Sequence, residues 1–302
     1  MSNANGEIEL SGDDQHVVVD LTGGGLRSYS ARGREVLDGY PAGEASPSGR
    51  GQVLIPWPNR LEDASYEFDG KRHQLEVNEP ERGNAIHGLV RFAQWSVAER
   101  EATRAVVEYV LEPQPGFPFT LALRIEYALS LGGLRVQTTA TNAGDAPLPY
   151  GSGAHPYLTL GAGTVDDVIL HAPGRVVLRT DDRGLPSGAE PVEGTEYDFT
   201  RPKPIGFTRL DHAFTDLHRD QDGLARVALA DPASRGASLT LWVDESYEYL
   251  QLFTGDPLPD VARRSLAVEP MTCPANAFRT GEGLIRLAPG ESVTSAWGIS
   301  PA

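Results

Sequence analysis

Between Thr120 and Asn142 apolar and polar residues alternate along two runs separated by a glycine pair, and no other feature limits the possible folds of this chain as much. Leu121, Leu123, Ile125, Tyr127 and Leu129 alternate with Ala122, Arg124, Glu126 and Ala128. After Gly132-Gly133, Leu134, Val136, Thr138 and Ala140 share one face. Successive side chains of a strand point to opposite sides, so period two buries one face and wets the other. The pattern predicts an antiparallel hairpin. Ser65 to Leu75 predicts a second hairpin around Asp69-Gly70, and further strands are expected at His16–Thr22, Gln94–Glu99, Ala105–Leu111, Arg175–Thr180, Ala225–Leu229, Ser238–Val243, Glu248–Thr254, Leu266–Glu269 and Ser292–Ile299. Amphipathic helical patterns do not exceed a couple of turns, while 33 Gly and 23 Pro suit a chain that turns often. The expected class is all-β, a large antiparallel β-sandwich.

With 302 residues and 40% hydrophobic content the chain has material for a substantial core, and all-β domains of this length often stay undivided. One domain over 1–302 is expected, with 1–14, polar and acidic, loosely ordered. Pro41 to Gly51 reads as a surface loop. The N-terminus lacks the basic-then-apolar pattern of a secretory signal, no stretch approaches the ~18 apolar residues of a membrane span, and a single cysteine, Cys273, excludes an internal disulfide framework. A cytoplasmic protein is expected. The formal net charge of -16 repels phosphate backbones and anionic lipid, so neither nucleic acid nor membrane is expected as a partner.

Several chemistries fail on spacing. There is no Gly-x-Ser-x-Gly elbow, no Walker loop and no His-Glu-x-x-His pair, and the acidic residues after His218 lack the closing carboxylate of a calcium loop. Five short segments remain in which polar residues stand among Pro, Gly and aromatics: Ile55-Pro56-Trp57-Pro58-Asn59-Arg60, Asn84-Ala85-Ile86-His87-Gly88-Leu89, Gly153-Ala154-His155-Pro156-Tyr157, Leu210-Asp211-His212-Ala213-Phe214 and Ala267-Val268-Glu269-Pro270-Met271-Thr272. Proline and glycine fix the backbone around a His or Glu, as a site requires. Taken singly, each residue has an ordinary reading: a structural histidine, a surface Arg60, an Asp211 that caps a turn, an exposed Glu269 at a strand end.

In this order, the Pro-Trp-Pro-Asn-Arg, Asn-Ala-Ile-His-Gly-Leu, Gly-x-Ala-His-Pro-Tyr and Glu-Pro-Met-Thr segments resemble those of the aldose 1-epimerases, or galactose mutarotases. The resemblance runs from about Gly51 to Pro270 and more loosely over almost the whole chain. It implies the galactose mutarotase-like supersandwich and interconversion of the α and β anomers of a free aldose. It further implies His155 as the general acid toward the ring oxygen, Glu269 as the base at the C1 hydroxyl, and Arg60, His87 and Asp211 as sugar-binding residues. Asn59 joins them by adjacency to Arg60. The residues after Asp211 and Glu269 depart from common members, which leaves the preferred sugar open.

Ring opening of a hemiacetal removes one proton from the C1 hydroxyl and delivers one to the ring oxygen. A carboxylate and an imidazole cover both tasks near neutrality, with ordinary values of about 4.3 and about 6.5. The scheme calls for no metal and no redox cofactor, and it sets the two groups on opposite sides of the ring. The partner expected is a small free sugar, and the chain itself a monomer or homodimer. Three alternatives remain: a hexose-6-phosphate epimerase, for which Arg60 and Arg91 are available but the acidic total is unfavourable; a glycosidase with a second acid near Glu269; and a non-catalytic sugar-binding protein.

Overall fold

The alternating runs become long neighbouring strands. In the computed structural model, which describes residues 6–161, 163–233, 236–258 and 261–302, Leu121–Ser130 pairs antiparallel with Gly133–Asn142 in register from Ser130↔Gly133 to Leu121↔Asn142. Leu121, Leu123, Ile125 and Tyr127 are buried, and the residues between them are partly exposed. The hairpin lies within a nine-stranded sheet. Its order is Ser96–Arg100, Arg104–Leu111, the hairpin, Ser292–Pro301, Ser238–Val243, Ala225–Ala230, Ile169–His171 and Lys203–Pro204.

A second sheet carries the segments around His155, Asp211 and Glu269, while Arg60–Glu62 and Asn84–Ile86 pair in a separate two-stranded sheet. The second sheet runs Pro186–Pro191, Gly174–Thr180, Asp211–Leu217, Tyr249–Phe253, Leu266–Met271, Gly153–Ala154 and Val53–Leu54, with Tyr157–Leu158 also paired to Leu266–Met271. One contiguous apolar cluster joins Leu123, Ile125 and Tyr127 of the first sheet to Val177, Phe214, Leu252 and Val268 of the second. The architecture is therefore the antiparallel β-sandwich expected from the alternation, with the core between the sheets. Every residue of Leu266–Met271 is buried, as in a strand covered on both faces. That strand outruns its predicted end at Glu269, where proline normally interrupts a ladder.

The N-terminal expectation requires correction. Glu7–Gly12 is a strand of a four-stranded sheet with Gln15–Asp20, Leu26–Ala31 and Arg34–Glu35, in register from Glu7↔Asp20 to Gly12↔Gln15. The acidic composition hid its alternation: Ile8 and Leu10 are fully buried, and the buried Glu7 carboxylate is paired with Arg27. Residues 1–5 of the predicted loose segment lie outside the described residues. Pro41 to Gly51 is largely loop, but its last residues turn inward, and Gly49 and Arg50 are buried. No described helix is long and apolar enough to cross a membrane.

Candidate active site

Two tight turns hold one wall of the site. Asn59 and His87 both take left-handed backbone conformations, with φ of 55° and 64°, which non-glycine residues rarely adopt. They are locked to each other. The His87 amide donates to the Asn59 carbonyl at 2.9 Å, and the Asn59 amide donates to Nδ1 of His87 at 3.2 Å. That second bond makes Nδ1 the acceptor, so a neutral His87 carries its proton on Nε2. Arg60 follows directly. Its Nε and Nη2 donate to the Glu79 carboxylate at 3.0–3.1 Å, and Asn84 Nδ2 donates to the same carboxylate at 3.0 Å.

The opposite wall is the second sheet. Gln251 pairs with Glu269 and Ala213 in the strand registers, and Asp211 lies two residues from Ala213, so Asp211, Gln251 and Glu269 share one sheet face. Gln251 Nε2 donates to Asp211 Oδ1 at 2.8 Å. His155 enters from the chain between Gly153–Ala154 and Tyr157–Leu158. Its amide donates to the Gln52 carbonyl at 3.0 Å, and its carbonyl accepts from the Gly51 amide at 2.9 Å. The imidazole stacks on Tyr157 with centroids 4.9 Å apart and planes 8° apart, and meets His87 edge-on at 5.4 Å. Gly49 lies against the ring, where a Cβ would come within 2.8 Å of Cδ2.

His155 Nε2 stands 3.4 Å from Glu269 Oε1, with both side chains almost wholly buried. Burial, together with the Asp211 charge, raises the Glu269 carboxyl well above its ordinary value against the opposing pull of Arg60. Burial lowers the His155 imidazole to about 3, aided by Arg50 and Arg91. Burial likewise lowers His87, with His155, Arg91 and Arg60 adding to it. At this separation Glu269 and His155 interact directly. The directions of their shifts favour a carboxylic acid beside a neutral imidazole over a carboxylate beside an imidazolium.

All six predicted residues, Asn59, Arg60, His87, His155, Asp211 and Glu269, line one cavity of about 470 Å³. Glu269 is buried in mid-strand, which sets aside its ordinary reading as an exposed strand-end carboxylate. One expectation changes: the proposed acid and base are neighbours and do not face each other across a ring. A cavity of about 270 Å³ elsewhere, lined by Arg34, Glu35 and Leu239 among others, gathers no such set of convergent groups. Sequence reasoning missed Gln251 and Glu79. Gln251 carried a faint signal as a lone amide within Tyr-Leu-Gln-Leu-Phe, whereas Glu79 had none.

Comparison with known proteins adds lineage to this geometry. The chain is 33% identical over 285 residues to YihR of Escherichia coli (strain K12), an uncharacterized protein, covering 94% of this chain and 89% of that one. A GalM/aldose epimerase homologue from C. elegans superposes with a TM-score of 0.88 at 19% identity, covering 99% of each chain. Galactose 1-epimerase from Lactobacillus acidophilus NCFM superposes with a TM-score of 0.80 at 22% identity, covering 98% of this chain and 94% of the other. These two likenesses establish a shared fold. Residues 7–300 match the family model for aldose 1-epimerase, and the chain belongs to that family.

Proposed function

We propose that this protein is an aldose 1-epimerase that interconverts the α and β anomers of a free aldose such as galactose or glucose. The observation that carries the reading is the buried His155–Glu269 pair at 3.4 Å on the wall of the cavity. The two oxygens that exchange protons, the C1 hydroxyl and the ring oxygen, are bonded to the same carbon. An acid and a base serving them must therefore be neighbours, as His155 and Glu269 are.

In the reactive form Glu269 is a carboxylate and His155 an imidazolium. Glu269 takes the proton of the C1 hydroxyl while His155 protonates the ring oxygen. The bond from C1 to the ring oxygen breaks and C1 becomes an aldehyde. Rotation about C1–C2 presents the other face, and closure returns both protons. Between the two halves Glu269 holds a proton and His155 is neutral, which is the placement that burial favours. The low-dielectric site thus lowers the cost of the open-chain state. Asp211, steadied by Gln251, accepts from ring hydroxyls, and Arg60 and His87 donate to them, with Asn59 holding His87 in place.

Polarimetry of freshly dissolved α-glucose and α-galactose tests the proposal. Faster relaxation to the anomeric equilibrium without change in sugar composition is expected. Unchanged relaxation for every aldose tried would reject it.

A further inference from the structure

Arg50 is almost wholly buried and is not among the residues that line the cavity, yet a single aromatic ring links it to His155. Its guanidinium carbon lies over the Tyr157 ring, 4.3 Å from the centroid, and the same ring stacks with the imidazole. Nη2 donates to Asp38 Oδ2 at 3.2 Å, whereas the buried Nε has no hydrogen-bond partner among the described residues. An unpartnered buried N–H is costly, so this guanidinium is seated for its contact with the ring more than for the number of its hydrogen bonds. Asp38 gathers further donors: Arg264 through Nε and Nη2 at 3.0 and 2.7 Å, and Ser265 Oγ at 2.8 Å. Against the upward push of burial these donors hold its carboxyl below the ordinary value, so it stays ionised. One carboxylate between two guanidiniums leaves the cluster with a net positive charge.

The backbone around this cluster is fixed. The Asp38 amide donates to the Tyr157 carbonyl at 2.9 Å, and Tyr157 Oη donates to the Ser48 carbonyl at 2.8 Å. Gly49 packs against the imidazole, and Gly51 and Gln52 hold the carbonyl and the amide of His155. The segment 48–52 therefore grips both rings, with Arg50 in its middle. Ser265 adjoins Leu266–Met271, the strand that carries Glu269, so the Asp38 cluster is tied to both members of the proposed acid–base pair. The titratable and charged groups that face His155 are Glu269 at 3.4 Å, His87 edge-on at 5.4 Å, Tyr157, and the charges of Arg50 and Arg91. Glu269, His87, Tyr157 and Arg91 line the cavity, where a bound sugar changes their surroundings. Arg50 does not, and its charge acts alike with and without ligand.

We propose that Arg50, held by Asp38, is a positioning residue for His155: through the Tyr157 ring it fixes the imidazole, and its permanent charge sets the pH window in which the His155–Glu269 pair can exchange protons with a sugar. This deepens the mutarotase reading and rests on it for the identity of the pair. A fixed cation lowers the proton affinity of every group near it. Inside a protein one charge two stacked groups away is worth on the order of tenfold in a protonation constant. The direction agrees with that of His155, which burial lowers to about 3 against a backbone hydrogen bond, with Arg50 ahead of Arg91 among the charges that add to it. An imidazolium weakened in this way gives up its proton readily to a ring oxygen, which is what the proposed acid has to do.

The test separates charge from shape with three variants: Arg50→Met keeps bulk over Tyr157 without the charge, Arg50→Lys keeps the charge, and Asp38→Asn removes the carboxylate that offsets it. Titration of the pair is followed by NMR on the unliganded protein with labelled His and Glu, and anomer exchange of glucose and galactose is measured against pH. Arg50→Met should move the titration and both limbs of the kcat/KM profile to higher pH by about one pH unit. Arg50→Lys should leave them in place, and Asp38→Asn should move them to lower pH. Sugar affinity should hold in all three, because neither residue lines the cavity. A loss of kcat at every pH with the limbs undisplaced would reduce Arg50 to packing and overturn the proposal. Shifts of the same sign in Arg50→Met and Asp38→Asn would overturn it too. If Arg50→Met does not fold, Arg264→Gln removes the half-exposed cation of the same cluster; it should give a smaller upward shift, and an unmoved titration there overturns the proposal. Absence of anomer exchange for every aldose would instead reject the mutarotase reading, and the charge effect is still scored from the NMR titration alone.

Discussion

Asp211 meets the cavity with one carboxylate oxygen already accepting from Gln251, which fixes its direction and leaves the other oxygen for a ligand. A residue that holds ring hydroxyls equally in the ground and transition states contributes uniform binding. Asp211→Asn should therefore raise KM more than it lowers kcat; steady-state kinetics that show a thousandfold loss of kcat at unchanged KM would assign Asp211 to the chemistry. His155 illustrates a different means of control at the same scale. Its ring is held by stacking on Tyr157, over whose ring Arg50 lies at 4.3 Å from the centroid, and Arg50 is itself tied to Asp38. The stack leaves Nε2 3.4 Å from Glu269 Oε1, and the Arg50 charge lowers the imidazole's hold on a proton.

At the scale of elements, the site depends on two turns whose backbones are left-handed at Asn59 and His87 and on the glycine that follows the latter. Gly88 has a φ of 71°, and a Cβ there would overlap the carbonyl oxygen of Ile55, which also accepts from the Leu89 amide. Gly88→Ala should cost about 1–2 kcal/mol from the left-handed conformation alone. It should also displace His87 and lower kcat/KM by up to about a hundredfold. Denaturation and kinetics on one preparation check both, and a variant with wild-type stability and kinetics would contradict the rigid-turn account. Elements were also what the sequence showed best. Alternation across Thr120–Asn142 revealed the main hairpin because one face of that sheet is buried, and Pro and Gly beside His87, His155 and Glu269 marked the segments that line the cavity. Glu7–Gly12 was obscured because a buried ion pair, Glu7 with Arg27, looks in sequence like a solvated charge. The contact between His155 and Glu269 was not legible either: strand register sets it, and register is a property of the folded sheet.

The whole molecule bears the energetic consequence of a carboxyl and an imidazole buried together inside a sandwich. Glu269 has a raised pKa in the folded protein, so the unfolded chain gives up this proton first. Stability is then lost as pH rises from the ordinary glutamate value through the folded one. His155 is depressed to about 3, so the unfolded chain gains a proton near pH ~6.5 that the folded protein refuses, and stability falls as pH drops from there toward 3. Glu269→Gln, which buries a neutral isostere, should accordingly raise Tm, and by more at pH 8 than at pH 5. Each kcal/mol recovered corresponds to roughly 2–4 °C. A Tm that falls would show that the fold stabilises the carboxylate, and a gain equal at both pH values would show that Glu269 titrates alike in the folded and unfolded chain; either contradicts the account. Such a trade of stability for activity is expected where a buried carboxyl serves catalysis. The most direct test of the central claim measures anomer exchange by NMR saturation transfer for wild type, Glu269→Gln, His155→Asn and the double variant, with sugar affinity measured alongside. Each single variant should lose on the order of 10² to 10⁴ in kcat with binding retained, and the double variant should lose far less than the product of the two, because the residues act as one proton-transfer unit. A single variant that keeps more than about a tenth of wild-type kcat, against that range, or losses that multiply in the double variant, would contradict the assignment of His155 and Glu269 as the acid–base pair.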